Sequence, residues 1–79
     1  MDLKRLDFIK GIMISDSANI PEIHPLIDAI EYDDYNDEIV IFIDELNEIQ
    51  KDYLYEFSEK HNLLYNKEPY KVVLFENPE

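Results

Sequence analysis

The sequence predicts an α+β fold: a small two-layer domain over residues 1–79, with element order α-β-β-α-β-β and a largely antiparallel sheet. Three observations predict it. Apolar residues recur at three- and four-residue steps in two separate segments, the spacing of amphipathic helices. The segment Glu38–Ile43 is an almost unbroken β-branched and aromatic run, the composition of a strand. Turn-forming residues then divide the other apolar stretches into short neighbouring pieces, the pattern of hairpins.

Each element follows in order. Residues 2–14 are the first expected helix, with Leu3, Leu6, Ile9 and Met13 on one stripe, charges between them and Asp2 as cap. Ser15–Asn19 reads as a loop, and Pro21 and Pro25 keep residues 20–25 out of a helix interior. Residues 26–32 alternate and predict a strand; the alternative is a short helix starting at Pro25. Tyr32–Asp37 is the turn of a hairpin. Glu38–Ile43 is its second strand, and the unbroken apolar run predicts a central position covered on both faces. Residues 45–61 are the second helix, with Leu46, Ile49, Tyr53, Leu54 and Phe57 as its stripe. Asp44 is the expected cap, Lys60 and His61 occupy the last turn, and Asn62 is the exit. Leu63–Tyr65 and Tyr70–Phe75 follow as strands around a turn at Asn66–Pro69, and the tail 77–79 is expected to be loose.

The charge excludes whole classes of function. The chain carries 7 Lys and Arg against 19 Asp and Glu, a net of −12. Direct nucleic-acid binding needs clustered cations, and an anionic membrane surface would repel the chain. Ile39–Ile43 is the longest apolar run, far below the roughly 20 residues of a membrane span. With no Cys there is no disulfide, thiolate nucleophile or cysteine zinc site. Gly11 is the single glycine, so no Gly-rich phosphate cradle exists. The charged N-terminal residues lack the apolar stretch of a secretion signal, so a cytoplasmic location is expected.

The motifs of catalysis and metal binding are incomplete. Ile39–Glu45 is similar to a Walker B segment, but the phosphate-binding loop that such chemistry requires is missing. Asp34, Asn36, Glu38 and Glu45 fit positions of a calcium loop, yet Ile39 stands where glycine must make the sharp turn. His24 and His61 lie far apart without partner ligands, and Ser15, Ser17 and Ser58 have no base. No catalytic residue, cofactor or metal site is assigned, and no enzyme activity is expected.

What remains is an acidic and aromatic surface. Residues 11–50 contain eleven acids and no Lys or Arg. Glu31, Asp33, Asp34, Asp37 and Glu38 gather around the expected hairpin turn, with Tyr32 and Tyr35 among them. Glu45, Glu48, Asp52, Glu56 and Glu59 recur at steps of three and four, which places them on one helix face. Like charges at that spacing destabilise a helix slightly, so folding alone gives no reason to align them. A basic partner does: acids steer it and Tyr supplies anchors.

In size and charge the chain resembles the small, strongly acidic inhibitor proteins that phages and mobile elements encode, some of which imitate nucleic acid and block basic clefts of host nucleases. That resemblance implies an inhibitor of a host nuclease or defence complex. The expectation is a non-enzymatic module that binds a basic surface of another protein through these twelve residues. The alternative, from a different class, is a homodimeric or larger structural or regulatory domain, in which self-association covers the sheet face that the helices leave open.

Overall fold

The computed structural model describes residues 3–77. The expected cap Asp2 and the tail residues Pro78 and Glu79 lie outside the described residues, as does the side chain of Leu3. The chain forms α1 (Leu3–Ser17), a short 3₁₀ turn (Pro21–Ile23), α2 (His24–Asp28), β1 (Ile30–Asp33), β2 (Glu38–Ile41), α3 (Glu48–Lys60), β3 (Leu63–Glu68) and β4 (Lys71–Glu76). The fold is α+β, with three helices and one four-stranded antiparallel sheet of order β1-β2-β4-β3.

Both hairpins are local pairs, β1 with β2 and β3 with β4. They join where β2 lies against β4, with Ile39 opposite Leu74 and Val40 opposite Val73. The helices share one face of the sheet. Ile9 and Met13 of α1, Leu26 and Ile27 of α2, and Leu54 and Phe57 of α3 form a single core. The strands add Ile30, Ile39, Ile41, Val72 and Leu74. Side chains alternate along a strand, so the intervening residues point to the other face.

Several boundaries differ from expectation. The residues expected as one strand, 26–32, divide into α2, which ends at Asp28, and β1, which starts at Ile30. Pro25 sits in the first turn of α2, where its missing N–H costs nothing. The helix expected to stop at 14 continues to Ser17, whose hydroxyl donates to the Ile14 carbonyl at 2.7 Å. β2 ends at Ile41, and Phe42–Asn47 is irregular.

The helix expected over 45–61 therefore starts at Glu48, as α3, and its cap is Asn47 rather than Asp44. The Asn47 side chain accepts from the Gln50 N–H at 2.8 Å, and the Asn47 N–H donates to Gln50 Oε1 at 3.0 Å. This reciprocal box satisfies donors that a helix start leaves open. Gln50 is buried because its amide also donates to the Glu22 carbonyl at 2.9 Å. It takes a core-facing position that the apolar stripe had assigned to Ile49, which is 46% exposed. Asn62 leaves α3 with φ of 56°, as an exit residue should. The β3–β4 turn is Pro69-Tyr70 rather than Asn66–Pro69, because β3 pairs fully to Glu68.

Candidate functional site

The expectation that β2 is covered on both faces is half met. It is a central strand, but no described helix packs on the outer face. Register places the residues of that face in rows. Glu31, Val40, Val73 and Asn66 form one, and Asp33 stands opposite Glu38 in the next. Leu64 pairs with Phe75, and Glu68 with Lys71. Phe42 continues the ladder beyond β2, its N–H donating to the Ala29 carbonyl at 3.1 Å. Val40 and Val73 are almost fully buried yet stand outside the helix-covered core. Around them on the same face are Phe42, 54% exposed, with Leu64 and Phe75. The result is an apolar patch with acids along its β1 side.

The hairpin turn is built by one of those acids. The Asp33 carboxylate accepts from the Tyr35 N–H at 3.0 Å, the Asn36 N–H at 3.2 Å and Asn36 Nδ2 at 2.8 Å. These bonds, the Asn36 side chain first, hold Asp33 below the usual carboxylate range, and the Lys71 charge adds to them. Asp37 closes the turn with φ of 55°, a left-handed conformation that Asp tolerates. It also accepts from the Tyr32 hydroxyl at 2.6 Å. Tyr35 is thereby left at the tip, 92% exposed. Glu31, Tyr32, Asp33 and Asp34 line a shallow depression with Val40, Phe42 and Lys71.

The twelve expected site residues do not form one surface. Glu31, Tyr32, Asp33, Asp34, Tyr35, Asp37 and Glu38 belong to the hairpin at the β1 edge. Glu48, Asp52, Glu56 and Glu59 are exposed on α3, which packs chiefly with β3 at the opposite edge and in the other layer. Glu48 is paired with Lys51 at 3.5 Å. Tyr55 bonds Glu59, which pushes the phenol pKa up. Glu45 falls outside the helix, in a depression with Asp44, Leu46, Lys51, Tyr65 and Lys67. So the expected five-acid helix face has four members, and cations flank Glu45. The patch residues Phe42, Leu64, Val73, Phe75 and Lys71 were not anticipated as a site. Strand alternation carried the signal, but only a known register assigns residues to a face.

Other polar groups tie the helices together. Arg5 Nη2 donates to the His61 carbonyl at 3.3 Å, and the Tyr53 hydroxyl donates to Asp16 Oδ2 at 2.7 Å, tying α1 to α3. Burial and the Asp16 carboxylate push the Tyr53 phenol pKa up. The His61 ring packs 4.4 Å from Phe57 and edge-on to Phe8 at 6.4 Å. His24 is exposed at the start of α2. Among the described residues, no group of three or more His, Asp or Glu is placed to hold a metal ion. None of the described helices is long and apolar enough to cross a membrane. No family model, curated protein or solved structure matches the chain.

Proposed function

We propose that the chain is a non-enzymatic protein-binding module whose outer sheet face and acidic hairpin dock on a basic surface of another protein. The observation that carries this reading is the coincidence of two features on one face. An apolar patch over which no described helix packs, with Phe42 and Leu64 exposed around the buried Val40 and Val73 and the half-buried Phe75, lies beside Glu31, Asp33, Asp34 and Glu38. An apolar centre with a charged rim is the usual anatomy of an interface. The exposed Tyr35 adds an aromatic contact at the tip.

A basic partner fits better on this face than a second copy, whose own Glu31, Asp33 and Glu38 would meet these acids. Lys and Arg that line a nucleic-acid channel are one such partner surface, and occupying it would inhibit the enzyme or defence complex that owns it. The α3 acids act at long range, raising the encounter rate without entering the contact.

The test has two stages. Tagged protein retrieves a partner from a native lysate, and the purified pair is then titrated. Replacing Glu31, Asp34 and Glu38 by Gln, Asn and Gln, while keeping Asp33 to hold the turn, is expected to weaken affinity at least ~10-fold and to flatten its salt dependence. Neutralising Asp52 and Glu56 is expected to change the on-rate only. An affinity indifferent to the hairpin triple variant, or constant from about 0.05 to 1 M salt, refutes the proposal.

A further inference from the structure

We infer that β3 is a self-pairing edge, and that two copies of the chain join antiparallel through it into one continuous sheet. The argument starts from hydrogen-bond parity. In an antiparallel pair, alternate residues direct both backbone groups to the partner strand, and the others direct them away. Asn77 donates to the Asn62 carbonyl at 3.3 Å. One register step on, Leu63 stands opposite Glu76. So Leu64, Asn66 and Glu68 bond β4, and the N–H and C=O groups of Leu63, Tyr65 and Lys67 point out of the sheet. No backbone group among the described residues pairs with them. A long open edge of this kind is a template for another strand.

The charge along the edge selects the occupant. At the other edge, β1 carries Glu31 and Asp33 beside Asp34, which would repel a second copy. Lys60–Lys67 contains no acid at all, and the flank beside it mixes Asp44 and Glu45 with Lys51 and Lys67. Of the two edge strands β3 itself carries the fewer acids; α3, which packs against it, adds Glu48, Asp52, Glu56 and Glu59, offset in part by Lys51 and Lys60.

Register agrees. Centring a two-fold axis on Tyr65 sets Leu63 against Lys67 of the second copy and Leu64 against Asn66, and every outward group of the three residues finds a partner. Glu68 then meets Asn62, so no acid faces an acid across the seam. A charged edge lysine often guards such strands. Here the Lys67 ammonium is taken up by the Asp44 carbonyl at 2.8 Å and by its neighbour's carbonyl at Glu68.

Sedimentation equilibrium from low micromolar to millimolar protein, combined with amide hydrogen exchange, tests this directly. The expected result is a mass that doubles with concentration. Exchange at Leu63, Tyr65 and Lys67 slows at least ~10-fold in step with it, while Leu64, Asn66 and Glu68 are protected throughout. Added salt tightens the dimer by screening, opposite to its effect on a basic partner, so failure here is separable from failure of the proposed function. Tyr65→Pro removes one outward N–H at a position where an edge strand accepts proline, and should leave a monomer. A monomer at every concentration, a dimer whose outward amides keep exchanging freely, or protection of these amides only by another protein's strand overturns the inference.

Discussion

His61 illustrates how one side chain couples burial to pH. Its ring lies against Phe57 and Phe8, and its Nε2 is buried without a hydrogen-bond partner among the described residues. Burial lowers its pKa below the ordinary 6.5, and Lys60 and Arg5 push the same way, with Asp16 opposing. As pH falls, the unfolded chain therefore takes up the proton first. Stability is whole above about pH 6.5, declines as pH falls from there to the folded-state value, and levels off below it. His61→Phe keeps the ring packing and removes the titration. In urea unfolding from pH 7.5 to 5, the wild type should lose stability relative to this variant; parallel pH curves would falsify the assignment. From sequence, His61 read as a helix-terminal cation, because position in a helix is visible there and burial against α1 is not.

At the scale of elements, α3 shows which local signals suffice. Its existence, direction and C-terminal exit at Asn62 were legible, since periodicity and turn chemistry are local. Its start was not. Asp44 is an adequate cap by type, but Asn47 has Gln50 three residues on, and Gln50 also reaches the Glu22 carbonyl across the fold. The box that caps the helix is itself local, an Asn with Gln three residues on, and the bond from Gln50 to Glu22 anchors it to the rest of the fold. Asn47→Ala should cost about 1 kcal/mol in denaturant unfolding, whereas Asp44→Ala should stay within about 0.5 kcal/mol, because among the described residues it is the Asp44 backbone carbonyl, not the carboxylate, that is bonded, by Lys67. Helix α1 has the reverse situation at Gly11. A β-carbon there meets no atom within 4 Å, so Gly11→Ala should stabilise by about 1 kcal/mol through helix propensity alone. A loss of stability would mean that this side of α1 is occupied.

At the scale of the molecule, the charge acts against the fold that carries it. A net of −12 on 79 residues repels itself. Raising NaCl from about 0.01 to 0.3 M shortens the screening length from about 30 Å to below 10 Å, and the thermal midpoint should rise with it. A flat or falling midpoint would show that specific ion pairs outweigh the repulsion. The acidity of the hairpin was legible in the sequence because its residues are contiguous. Its separation from the α3 acids was not, because that depends on which edge each element takes in the order β1-β2-β4-β3. That order also divides the chain evenly. Before Phe42 come a helical segment and a hairpin, and after Asn47 the same arrangement recurs. Each half closes its hairpin over a short turn, a local pairing that forms fast. The slower event is expected to be the long-range one, in which β2 finds β4 and the two sets of helices share one core. Folding is thus expected to be limited at this central seam, so substitutions at Ile39, Ile41, Val72 and Leu74 should slow refolding more than equally destabilising ones inside either hairpin.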